Sequence, residues 1–146
     1  MALWLKMFKM YEPHSISKVN GFDFFSPDLT LESLDGQNKS LMSDVIKRSD
    51  DSSLHINTIQ QKLDNVFKHR FNLIPGNVVE TTKSFVNDNP GIKIKLLYMD
   101  IDVGDPTYIS LTNLWSHVTI GGIIVFDEYA YHKWDESVGC LLYTSP

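Results

Sequence analysis

An α/β domain built on a largely parallel sheet is the fold class this sequence predicts, and three observations predict it. Short apolar runs alternate along the chain with stretches whose apolar residues recur at helical spacing. The later runs, "IKIKLLYMD" and "IIVFD", are nearly continuously apolar toward their ends, as expected for strands covered on both faces. Finally, acids stand where runs stop: Asp23, Asp100 with Asp102 just beyond it, and the pair Asp127 and Glu128. In open α/β sheets, ligands bind beyond the carboxyl ends of the strands, so these acids would line one functional rim.

The opening "MALWLKMFKMY" predicts a helix with Trp4, Met7, Phe8 and Tyr11 on one face. Lys6 and Lys9 interrupt the apolar run, no small-residue cleavage site follows, and Pro13 forbids continuation, so a signal peptide is not the reading. "SKVNGFDFF" predicts a short strand ending at Asp23, followed by Pro27 and a polar loop. Two amphipathic helices follow, carried by Leu41, Val45 and Ile46 and then by Ile56, Ile59, Leu63, Val66 and Phe67. "FNLIPG" predicts a brief strand stopped by Pro75 and Gly76, and "VVETTKSFVNDNPG" a helix closed by Asn89, Pro90 and Gly91.

After "IKIKLLYMD", Asp105 and Pro106 supply an N-cap and a first-turn proline for a helix with Tyr108, Leu111, Leu114, Trp115 and Val118 as its apolar positions. Gly121 and Gly122 then predict a turn into the last strand.

At 146 residues the chain is long enough for one domain with a core. Its net charge of -5 and scattered lysines and arginines argue against a nucleic-acid partner, and no apolar run reaches membrane-span length. Cys140 is the one cysteine, which excludes a disulfide framework and a cysteine-based zinc site. A cytoplasmic protein is the expectation, and a homo-oligomer is compatible with it.

Neighbouring carboxylates repel unless a cation or hydrogen-bond donors compensate. A set of oxygen ligands without cysteine favours a hard ion such as Mg²⁺, and such an ion makes a bound hydroxyl easier to deprotonate. The second reading of each acid is structural, since strand-end acids also cap helices or face water. Asp105 takes the capping role. His132 could serve as a general base by its near-neutral titration range, but the residues alone favour a packed or solvent-facing histidine. Tyr129, Tyr131 and Trp134 suit either a substrate pocket or the core.

Three stretches together, "YEPHSISKVNGFDFF", "LLYMDIDVGDPTY…LTNLW" and "GGIIVFDEYAYHKW", resemble the macrocin O-methyltransferase family, which includes deoxyhexose 3-O-methyltransferases, among the class I S-adenosylmethionine-dependent methyltransferases. The resemblance runs from the first helix to Gly139. It implies a Rossmann-like sheet and Mg²⁺-dependent methylation of a sugar hydroxyl on a nucleotide-activated deoxyhexose or glycosylated metabolite. Position by position, it implies Asp100, Asp127 and Glu128 as Mg²⁺ ligands, although the family more often has Asp or Asn where Glu128 stands. It implies Asp23 as the acid that hydrogen-bonds the cofactor ribose, Asn77 as an adenine contact, and Asp102 as the base or an acid supporting the ligands.

The sequence also departs from the family. No glycine-rich loop precedes the first helix and the final strands are missing, so residues 1–139 read as a partial methyltransferase domain, inactive by itself. Without the family's central first strand, a gap is expected across which Asp23 and Asp100 are not held together. The tail "CLLYTSP", residues 140–146, does not continue the pattern and reads as sequencing-adapter sequence. Two other readings stand beside the enzyme: a non-catalytic nucleotide- or metal-binding module, and a receiver-type phosphoacceptor. The latter needs a lysine at a late strand end, and "VFDEYA" offers none.

Overall fold

The computed structural model describes residues 1–49 and 54–127, and its elements alternate as the periodicities predict. In order they are α1 (Ala2–Tyr11), β1 (Val19–Asp23), α2 (Pro27–Glu32), α3 (Gly36–Arg48), α4 (Ile56–Phe67), β2 (Phe71–Pro75), α5 (Val78–Asp88), β3 (Ile94–Met99), α6 (Gly104–Trp115) and β4 (Val118–Phe126). The chain divides into two compact units, Met1–Asn77 and Val78–Pro146.

In the first unit β1 and β2 pair in parallel, from Val19 opposite Phe71 to Asp23 opposite Pro75. Their core gathers Leu5 from α1, Leu63 and Phe67 from α4 and Phe71 from β2, with Met1, Val19, Ile59 and Leu73 against it. The buried face of α1 is thus the one carrying Met1 and Leu5. Tyr11, expected on the inner face, is exposed, because Leu5 is the side chain that reaches α4 and β2. Arg70 fastens the chain between α1 and β1: its guanidinium donates to the Ser17 carbonyl at 3.0 Å and to the Pro13 and Glu12 carbonyls at 3.4 Å. The segment after Pro27, expected as a loop, is the short helix α2, which Ser26 caps by accepting from the Leu29 N–H at 3.4 Å. Helix α3 forms with its apolar residues only partly covered and none buried.

In the second unit β3 and β4 pair in parallel, and α5 and α6 pack together on one face of the pair. Leu97, Met99, Leu111 and Leu114 are buried there, with Val86, Ile124 and Phe126 against them. The helices meet through small polar groups: Asn113 Nδ2 donates to the Val79 carbonyl at 3.2 Å and to Thr82 Oγ1 at 3.0 Å, inside a contact where Thr82 is buried. The opposite face of the strands is not covered among the described residues. Tyr98 is 39% exposed and Ile123 60%, so the expectation of strands buried on both faces holds for one face only.

Gly121 and Gly122 do not precede the last strand but lie inside it. Five residues pass on β4, from Val118 to Ile123, while β3 advances only from Ile94 to Leu96, so the strand bulges. Gly121 takes a φ of 78°, and a Cβ on Gly122 would lie 2.8 Å from the Thr119 carbonyl oxygen and 3.1 Å from that of Ile94. Backbone oxygens in a ladder cannot retreat as a side chain can. Gly122→Ala is therefore expected to cost about 1–3 kcal/mol in urea unfolding, and an unchanged midpoint would show that the bulge yields.

Candidate functional site

Among the described residues the predicted acids lie at or just beyond carboxyl ends of strands, but in two groups, one in each unit. In the first unit, Asp23 closes β1 and Asn77 follows β2 and Gly76. The Gly76 N–H donates to the Asp23 carbonyl at 2.9 Å, which holds the two strand ends side by side. The Asp23 carboxylate accepts from the Phe25 N–H at 3.4 Å, and Phe25 has a left-handed φ of 51° that turns the chain back over the acid. Asp23 keeps contact with solvent, yet the turn crowds its carboxyl. That desolvation raises its pKa, against the opposing pull of the Phe25 and Phe24 N–H groups.

The sign of the resulting pH dependence follows. The folded chain holds the Asp23 proton more tightly than the unfolded chain. Its stabilising effect is therefore complete below the unfolded carboxyl value of about 3.9 and is lost as pH rises through the raised folded value. Asp23→Asn keeps an oxygen acceptor for Phe25 and removes the titration. Urea midpoints measured from pH 4 to 7 should decline less in the variant than in the parent chain, whereas identical slopes would show that Asp23 does not feel the crowding.

In the second unit, Asp100 follows Met99 at the end of β3, and Asp127 follows Phe126 at the end of β4. Met99 and Phe126 are register partners, and the Asp127 N–H donates to the Met99 carbonyl at 3.0 Å. Continuing that register by one step sets Asp100 and Asp127 on neighbouring chains, about 5 Å apart along the hydrogen-bonding direction. Both are exposed. Asp102, half-buried, takes a φ of 64°, a left-handed conformation that aspartate tolerates better than most residues, where the chain leaves β3 for α6.

Asp105 is not the N-cap. Val103 holds that position without a side-chain cap bond, Gly104 opens the helix, and Asp105 lies inside the first turn, where its charge still suits the helix dipole. One side chain that the sequence reading did not single out joins this rim: the Tyr98 hydroxyl donates to Asp127 Oδ1. Tyr98 is opposite Val125, so Asp127 is its diagonal neighbour on the open face, within the reach of a tyrosine.

Glu128 and His132 lie outside the described residues, as do Tyr129, Tyr131, Trp134 and the 140–146 tail. Among the described residues no three His, Cys, Asp or Glu side chains gather into a metal site. The two described members of the expected ligand set, Asp100 and Asp127, do share one strand-end rim. Oxygen donors are the kind a hard divalent cation takes, but two carboxylates are not a complete set of ligands. No helix among the described residues is long and apolar enough to cross a membrane.

No protein-family model matches the chain. No match is found among curated proteins. Solved structures do share its fold. The apo structure of CalS11, a TDP-rhamnose 3'-O-methyltransferase and an enzyme in calicheamicin biosynthesis, superposes with a TM-score of 0.64 at 23% identity over 96% of this chain. A second CalS11 structure, described as calicheamicin methyltransferase, gives a TM-score of 0.64 at 22% identity over 96% of the chain. The chain has the α/β architecture of part of that methyltransferase, spanning 55% and 57% of the two matched chains.

Proposed function

We propose that this chain is part of an S-adenosylmethionine- and Mg²⁺-dependent O-methyltransferase of the macrocin type, acting on a sugar hydroxyl in a parent protein longer than the chain itself. The observation that carries the reading is the placement of Asp100 and Asp127 at neighbouring carboxyl ends of the β3–β4 pair, in a fold shared with a TDP-rhamnose 3'-O-methyltransferase.

Asp100, Asp127 and Glu128 would hold the cation, which when bound supplies positive charge that favours the deprotonated form of a sugar hydroxyl. Asp23 would accept hydrogen bonds from the cofactor ribose and Asn77 would contact its adenine; the bound cofactor supplies the transferable methyl. Asp102, or His132, would take the proton of the sugar hydroxyl, leaving its oxygen free to accept the methyl while S-adenosylhomocysteine is released. The carboxylates position the reacting oxygen, and positioning supplies much of the rate in a displacement of this kind.

Asp23 and Asn77 belong to one unit and Asp100, Asp102 and Asp127 to the other, so the reading requires the parent to bring both groups to one cofactor. The test is methyl transfer by the parent from labelled S-adenosylmethionine to a panel of nucleotide-activated deoxyhexoses. Label on a sugar oxygen that is abolished by EDTA supports the reading, and a parent that methylates no sugar overturns it. A non-catalytic nucleotide- or metal-binding module is then the reading that remains.

A further inference from the structure

Asn20 and Gly21 form the one Asn-Gly pair in the chain. We propose that this pair is a latent deamidation site, which Asn72 holds closed while β1 and β2 stay paired and which opens when they part. In the reaction the Gly21 backbone nitrogen gives up its proton and attacks Asn20 Cγ. The Cγ–Nδ2 bond breaks and ammonia leaves, and water then opens the cyclic imide at either carbonyl, to aspartate or isoaspartate. Glycine permits the attack because no side chain crowds its nitrogen. Packing keeps the glycine in place, since a Cβ on Gly21 would run into the Met1 side chain.

Two contacts from one residue oppose the attack. Asn72 is the register partner of Asn20, and its Nδ2 donates to Asn20 Oδ1 at 2.7 Å, so the side-chain amide is turned across the strands rather than along its own. The ladder holds the nucleophile as well. The Val19 N–H donates to the Arg70 carbonyl at 3.0 Å and the Gly76 N–H to the Asp23 carbonyl at 2.9 Å, and the same alternation pairs the Gly21 N–H with the Asn72 carbonyl. An extended strand also fixes ψ at Asn20, whereas ring closure needs the following nitrogen swung toward Cγ. A two-stranded pair is marginal by itself, so local opening is where the reaction starts. Isoaspartate routes the main chain through Cβ, which adds one atom ahead of Gly21 and moves Phe22 and Asp23 out of step with Ile74 and Pro75. Deamidation at Asn20 therefore takes Asp23 from its place beside Gly76.

The test incubates the full chain in mildly alkaline buffer, with and without urea, and follows deamidation at each asparagine by peptide mass mapping. Asn20 is expected to be the fastest asparagine in urea and to react at least about tenfold more slowly in the folded chain. Asn72→Val keeps a strand-forming residue at an exposed position and removes the side-chain donor, so it should speed the reaction at Asn20 severalfold with an unchanged urea midpoint. A faster asparagine elsewhere in urea, or equal rates at Asn20 in the folded and the urea-treated chain, would overturn the site. Equal rates in Asn72→Val and the unaltered chain would overturn the part given to the Asn72 side chain. If the midpoint of the variant falls, Ile59→Val, which weakens the core of the same unit away from Asn20, supplies the comparison at equal unfolded fraction. Faster reaction in Asn72→Val then supports the latch, and equal reaction overturns it.

Discussion

Leu111→Ala is expected to remove about 2–5 kcal/mol of folding stability, read as a fall in the urea midpoint with an unchanged slope. Leu111 is 1% exposed and lies in the one cluster where α6 meets Leu97 and Met99 of β3. The truncation loses the transfer free energy of the side chain and leaves a cavity that strand and helix backbones cannot collapse to fill. Against a whole-domain stability of about 5–15 kcal/mol, that loss could unfold the second unit outright. Trp115, larger but 52% exposed on the same helix, makes the contrast: truncating it to alanine should cost less, because about half of its surface stays in water on folding and no closed cavity is left. Equal costs at the two positions would show that the cluster around Leu111 is not the core of this unit.

Asp100→Asn is expected to abolish divalent-ion uptake at the rim without changing the fold. Asparagine keeps the shape and one oxygen but removes the charge, and a hard cation depends on that charge. Loss of a group that merely orients a ligand costs about 10–100-fold in metal affinity, so loss of the ligand's own charge should cost at least that much. Asp100 is exposed at a strand end, so the fold of the variant is checked by its urea midpoint beside the ion titration. Asp105→Asn is the control: Asp105 lies beyond the strand end, in the first turn of α6, and serves the helix terminus. Manganese titration of the three proteins decides the matter. Parallel losses in both variants would point to a diffuse acidic surface, and a loss confined to Asp100→Asn to a specific ligand.

The parts of the fold that the sequence made legible are those with a local cause. The ends of β1 and β2 at Asp23 and Pro75 were visible because an apolar run meets a polar residue or a proline there, and α4 because Ile59, Leu63 and Phe67 repeat at the helical period. What was not legible depends on partners distant in sequence. The choice of Leu5 over Tyr11 as the anchor of α1 is made by α4 and β2. The bulge at Gly121 is invisible without the β3 register, since a glycine pair in sequence reads as a turn. Helix α2 is hidden because a proline after Ser26 serves as a loop signal as readily as a helix opening.

The candidate site divides the same way. The acids were found from their places at strand ends, and the neighbourhood of Asp100 and Asp127 follows from parallel pairing of the two runs. Tyr98 was not found, because one more aromatic in an apolar strand carries no signal until the register sets it diagonal to Asp127. Asp23 and Asp100 belong to two separate two-stranded sheets among the described residues.

The central claim, a share in a methyltransferase cofactor site, is tested most directly by calorimetric titration of S-adenosylhomocysteine, in the presence of Mg²⁺, into this chain and into a version extended upstream through a glycine-rich loop and its strand. Saturable binding by the extended protein and none by the chain alone is the expected result. Binding by neither would contradict it and return Asp100 and Asp127 to the standing of solvated acids on the edge of an α/β sheet.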